Sequence, residues 1–118
     1  MRTVDEWKAA LRTALKEAMR TRSTHAAAVL RETLAAIDNA EAPDLRGAPA
    51  AVGGAFAGSA GGLGSGEVTR LALTPEAVQA VVDREVQERR DAVALYETLG
   101  KQDQADAVKA QLDVLLAL

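Results

Sequence analysis

The sequence predicts an all-α protein of four main helices, arranged as two helical hairpins. Three observations lead to that expectation. Apolar residues recur at i, i+3, i+4 and i+7 through both ends of the chain. Residues that favour helix starts stand before these runs, and proline or glycine follows two of them. Eight of the nine glycines fall between Gly47 and Gly66, which leaves two long arms nearly free of breakers.

The first helix is expected over about 4–20. Thr3 is placed to cap it, and Glu6 follows at the capping-box spacing. Trp7, Ala10, Leu11, Ala14, Leu15, Ala18 and Met19 form one apolar stripe. Lys8, Arg12, Lys16 and Arg20 recur every four residues beside it, so they stack along one side of the helix. Thr21-Arg22-Ser23-Thr24 interrupts the pattern, and Ser23 or Thr24 caps a second helix over about 24–41. Its buried face is Ala26, Val29, Leu30, Leu34 and Ile37, and Pro43 ends it. The short link argues for an antiparallel hairpin.

From 43 to 70 the chain is rich in glycine and alanine and is expected to be a flexible insertion. No Gly-Lys-Ser/Thr follows the glycines and no strand precedes them, so a phosphate-binding loop is not supported. The third helix, about 74–99, has the clearest start. Thr74 caps it, Pro75 takes the first helical position, and Glu76 faces the positive end of the dipole. Leu73 is placed to staple onto Val78. Val78, Val82, Val86, Val93, Tyr96 and Leu99 make its apolar side, with the Tyr96 hydroxyl at the surface. Gly100 supplies a left-handed stop. Asp103 is expected to cap a fourth helix over about 103–117, with Ala107, Val108, Leu112, Leu115, Leu116 and Leu118 on its face. That apolar end suggests that something follows it or docks on it.

Composition narrows the function classes. A chain of 118 residues fits one domain, and about 90 ordered residues give a core of only marginal stability. Trp7, Phe56 and Tyr96 are the only aromatics, so the core must be aliphatic and rich in alanine. The absence of cysteine excludes disulfides and thiolate metal sites. No run approaches the ~18 apolar residues of a membrane span, and the N-terminus has no apolar signal region, so a cytoplasmic protein is expected. The net charge of −3 hides an asymmetry. Residues 1–31 hold seven basic and three acidic side chains, whereas residues 74–118 hold five and nine. The protein is therefore not a uniformly basic nucleic-acid module, but its first helix carries a local basic surface.

Motifs for chemistry are few. His25 is the only histidine, and at a helix start it reads as a surface residue; with no cysteine and no second histidine, a zinc site is not expected. Ser23, Ser59 and Ser65 lack a nucleophile-elbow context for a triad with His25. Asp83, Glu85, Glu88, Asp91 and Glu97 alternate with Arg84, Arg89 and Arg90, which reads as a solvated helix face. The Glu-x-x-His of a di-iron bundle is absent. No cofactor, metal or membrane role is expected. The basic stripe could instead solubilise the protein, or it could follow a phosphate backbone: its four cations span about 18 Å of helix. No aromatic platform for base stacking accompanies it.

Two segments resemble the GatB/YqeY domain family, and in particular its small free-standing YqeY-like members. The first is residues 7–41. It runs from Leu15-Lys16-Glu17-Ala18-Met19-Arg20 through Val29-Leu30-Arg31 into Ala35-Ala36-Ile37-Asp38-Asn39-Ala40-Glu41. The second is residues 73–115, with a Leu-Thr-x-Glu-x-Val start, Arg84-Glu85-Val86-Gln87-Glu88-Arg89-Arg90, an aromatic–Glu pair before glycine, and Gly-basic-x-Asp. The resemblance covers about 75 residues and implies an all-helical domain of the family's N-terminal type. It is similar to the C-terminal tail of the B subunit of tRNA-dependent amidotransferase, a tail implicated in gripping tRNA. Arg31, Asn39, Arg84, Glu85, Arg89, Arg90, Gly100 and Asp103 match the family pattern. Val108 and Gln111 replace acidic positions, and the Gly-rich segment replaces a short loop. The family continues beyond the position of Leu118 through Tyr-Leu-Pro into a second helical domain, which is expected to be absent here.

The resulting expectation is a non-catalytic helical binding module, related to tRNA or translation. Lys8, Arg12, Lys16, Arg20, Arg31, Arg89 and Arg90 would contact nucleic acid or an acidic partner such as an amidotransferase-like complex. The alternative is a protein-interaction or self-associating module, a homo-oligomer through the C-terminal helix, with no nucleic-acid role. The association with carbon–nitrogen ligase activity (glutamine as amido-N-donor) comes by resemblance only, because the sequence shows no nucleophile–base pair, metal cluster or cofactor loop.

Overall fold

A computed structural model describes residues 1–42 and 71–118. They form four helices: α1 (Val4–Arg20), α2 (Thr24–Glu41), α3 (Pro75–Thr98) and α4 (Gln102–Leu116). No strand occurs among the described residues, and the chain is all-α as the periodicity predicts. Met1–Asn39 and Leu73–Leu118 form one compact unit, and Ala40–Ala72 belong to a second. The segment 43–70, expected to be flexible, lies outside the described residues. Beside it, the Leu71 amide donates to the Glu41 carbonyl at 2.7 Å.

The helix starts follow the sequence at three of four places. Thr3 caps α1: its hydroxyl accepts from the Glu6 amide at 3.2 Å, and its own amide donates to the Glu6 carboxylate at 2.8 Å. That amide, with the Thr3 hydroxyl beside it, holds the Glu6 carboxyl below its ordinary pKa. α2 begins at Thr24 with the Ala27 amide donating to the Ser23 carbonyl at 2.9 Å, so Ser23 holds the cap position. Thr74 caps α3 by accepting from the Ala77 amide at 3.0 Å, with Pro75 behind it.

The fourth start differs. Lys101, not Asp103, is the N-cap of α4, and it makes no side-chain capping bond. The reason lies in the preceding turn. Gly100 and Lys101 close α3, so α4 begins at once and places Asp103 inside its first turn. There the carboxylate still faces the positive end of the helix dipole.

The two hairpin turns are built alike. After α3, the Lys101 amide donates to the Tyr96 carbonyl at 2.8 Å and the Gly100 amide to the Glu97 carbonyl at 3.1 Å. After α1, the Ser23 amide donates to the Ala18 carbonyl at 2.8 Å and the Arg22 amide to the Met19 carbonyl at 3.2 Å. Both are Schellman closures, which require one left-handed residue. Gly100 takes it at φ 72°, and Arg22 takes it at φ 59°. A side chain in that region is strained, so Arg22→Gly is expected to stabilise the protein by about 0.5–1 kcal/mol. Gly100→Ala is expected to destabilise it by about 1 kcal/mol through backbone strain alone, since a Cβ there would meet nothing within 4 Å. Urea denaturation of both variants tests the pair of signs.

Ion pairs report the directions of the helices. Lys8 near the start of α1 meets Asp38 near the end of α2, with Nζ–Oδ1 at 3.7 Å. Lys109 of α4 meets Glu97 of α3 at 2.8 Å, and this partner raises the Lys109 pKa. Each pair brackets its turn, so both hairpins are antiparallel, as the short links predict. One core joins all four helices: Trp7, Leu11 and Ala18; Ala27, Val29, Leu30 and Ile37; Val78 and Val82; and Leu115. Leu73 packs against this core, where Val78 is fully buried, as the staple requires. The guanidinium of Arg2 lies 4.7 Å from the centre of the Trp7 ring and covers that end.

Three expected core residues lie outside. Met19, Leu99 and Leu116 are more than half exposed. Each sits in the last turn of its helix or just past it, while Ala18 and Leu115 beside two of them are buried in the core. Thr33, Arg89 and Ala105 are buried instead.

Candidate binding surface

The seven candidate cations do not share one role. Lys8 is half-buried and turned toward α2 by its pair with Asp38. Arg20 is exposed, but its guanidinium grips Glu17 one turn back, with Nε donating to Oε1 at 3.1 Å, and the carboxylate raises its pKa. Arg12, Lys16, Arg31 and Arg90 are exposed and form no ion pair among the described residues. Arg12 and Lys16 are one turn apart on α1, with Arg20 one turn further on. Arg31 stands on α2 and Arg90 on α3, so these two do not extend the α1 stripe.

Arg89 is the clear departure. It is only 7 % exposed and lies among the helices rather than on a binding face. Its Nη1 donates to the Glu85 carboxylate at 2.8 Å and to the Glu85 carbonyl at 3.1 Å, and its Nη2 pairs with Glu32 of α2. Glu85 is itself almost covered, with 12 % of its side chain exposed, whereas Glu32 keeps 58 %. The cluster joins the two hairpins. A signal for it was present: Arg89 falls seven residues after Val82, on the stripe that also carries Val78, Glu85 and Val93. A long cation on an apolar stripe buries its stem and demands a partner.

His25 is exposed, in agreement with its reading as a surface residue. It lines an open groove of about 420 Å³ between the start of α2 and the outer part of α4, together with Arg22, Ala26, Ala110 and Val114. Local sequence patterns carry no hint of this groove, because its two walls lie about 85 residues apart. Among the described residues no group of His, Asp or Glu is placed to hold a metal ion. No helix among the described residues is long and apolar enough to cross a membrane.

The apolar C-terminus is largely used within the chain. Leu115 is buried, Val114 and Leu118 pack against the core, and Leu116 and Ala117 remain exposed. Among the described residues, a larger exposed apolar feature lies at the end of α3, where Leu95 and the C-capping Leu99 are both more than half exposed. Geometry thus leaves two surfaces for partners, the α1 cations and the end of the second hairpin. No protein-family model matches the sequence, and no curated protein matches it significantly.

Proposed function

We propose that the chain is a helical binding module that takes a polyanionic partner on α1 and has no chemistry of its own. The observation that supports this most is the state of Arg12 and Lys16. They remain solvent-exposed without ion pairs, while Lys8 and Arg89 are held in helix–helix contacts. Like charges one turn apart do not help the helix, so a phosphate backbone is the partner that rewards them. The GatB/YqeY resemblance narrows the polyanion to tRNA, within a translation-related, amidotransferase-like setting in the cytoplasm. Arg31 and Arg90 are secondary contacts in this reading, and Arg89 holds the scaffold.

The test is fluorescence anisotropy with labelled tRNA across a salt series. Binding is expected to weaken steeply with salt, because each neutralised phosphate contributes a slope of about 0.7–0.9 on the log–log plot. Arg12→Glu with Lys16→Glu is expected to reduce that slope by about two phosphates. Absence of binding at low salt would remove the nucleic-acid reading.

A further inference from the structure

We infer, on the reading of α1 as a polyanion site, that Arg22 at the tip of the first hairpin is a further contact for that polyanion, and that its left-handed backbone is retained for the charge it presents. The two Schellman turns make the comparison. Among the described residues Arg22 is the one non-glycine at positive φ, 59°, where the matching turn has Gly100 at 72°. A Cβ disfavours that region, and arginine lacks the short polar group with which asparagine hydrogen-bonds locally there.

Nothing within the hairpin offsets that cost. The turn closes through backbone amides and through the Thr21 hydroxyl, which donates to the Glu17 carbonyl at 3.0 Å and lies 3.0 Å from the Ser23 hydroxyl. Arg22 is exposed, and its guanidinium forms no ion pair or hydrogen bond among the described residues. Strain held against the chain's own stability points to function.

The surrounding charge says which function. From Arg12 to His25 the chain carries four cations, Arg12, Lys16, Arg20 and Arg22, against one carboxylate, Glu17. Arg20 holds that carboxylate, and the first turn of α2 has no acid. The other side of Arg22 differs. There it lines the groove against α4, where Asp106, Asp113 and Glu97 lie close enough to Lys109 to raise its pKa. Lys101 and Asp103 at the start of α4 cancel. Three carboxylates against one ammonium turn a polyanion away from the groove. Asp5, seven residues before Arg12 on the same face, does so at the start of α1. The favourable path therefore runs from Arg12 through Lys16 to the hairpin tip, about 12 Å of helix and then the turn. Arg22 is the last cation on it.

Salt-dependent binding of labelled tRNA to the full chain tests this, beside urea denaturation. Arg22→Gln keeps a side chain in the left-handed region and removes the charge. It is expected to lower the log–log salt slope by about 0.7–0.9, one phosphate, with the urea midpoint near that of the wild type. Arg22→Gly is expected to lower the slope equally while raising the midpoint, so that binding weakens as the fold gains stability. Arg22→Lys is expected to keep the slope. Arg84→Gln, the same charge change at an exposed arginine of α3, is expected to leave the slope unaltered. A wild-type slope in Arg22→Gln, with Arg12→Glu and Lys16→Glu still lowering it, would overturn the role of Arg22 alone. An equal loss in Arg84→Gln would reduce the effect to net charge and overturn it as well, as would a lowered midpoint in Arg22→Gly. No binding by the wild type would remove the polyanion reading and the role of Arg22 together.

Discussion

Leu30→Ala is expected to destabilise the protein by about 3–5 kcal/mol, enough to leave much of the chain unfolded near body temperature. Leu30 is 1 % exposed and sits at the centre of α2, in the core shared by the four helices. Its weight follows from the company it keeps. The other buried positions include Ala18, Ala27, Val29, Val78, Val82 and Ala105, which each bury little area. Large buried side chains are scarce, so each one carries an unusual share of the hydrophobic stabilisation. The small neighbours also cannot swell into the vacated space, and the cavity term is therefore nearly fully felt. A shift in urea midpoint at unchanged slope measures the loss. For a domain of this size, 3 kcal/mol corresponds to roughly 12–24 °C in Tm. Leu116→Ala, chemically the same change at an exposed site, is expected to stay within about 0.5 kcal/mol. Equal losses at the two leucines would mean that the core is not where the burial pattern places it.

That contrast between Leu30 and Leu116 also shows what the sequence can and cannot convey. Periodicity located every helix to within a residue, because amphipathic stripes and caps are local properties. Thr3, Thr74, Pro75 and Gly100 act through neighbours three or four residues away, and each was legible. Periodicity does not say which residues of an apolar stripe the tertiary packing covers. Met19, Leu99 and Leu116 obey the apolar pattern and are still exposed, whereas Ala18 and Leu115 beside two of them are buried. The candidate surface was half-legible for the same reason. The spacing of Arg12 and Lys16 is written in the chain, but the contacts that take Lys8 to Asp38 and Arg89 to Glu32 span 30 and 57 residues. Glu85 and Gly100, like Arg89, hold the scaffold rather than a surface.

The scaffold role of Arg89 gives the second large effect. Glu85→Ala is expected to cost about 2–3 kcal/mol, and Glu32→Ala under about 1 kcal/mol, although both carboxylates touch the same guanidinium. Exposure decides the order. Glu32 stands 58 % in water, where screening and rehydration offset most of a lost pair. Glu85 is 12 % exposed beside an Arg89 side chain at 8 %, so its removal leaves a covered cation with one wet partner. The buried Nε of Arg89 has no hydrogen-bond partner among the described residues, so its two Nη contacts are the ones that satisfy the guanidinium there. Arg89→Met tests the other side. Methionine refills the space of the stem, but Glu85 is then stranded, so Arg89→Met alone is expected to destabilise, and adding Glu85→Gln is expected to recover most of the loss. A double-mutant cycle gives the coupling directly: above about 1 kcal/mol for Arg89 with Glu85 and below about 0.5 for Arg89 with Glu32. If the Glu32 coupling proves larger, the bridge between hairpins is the stabilising contact and burial is not what sets the order. If neither couples, Arg89 is held by its stem alone.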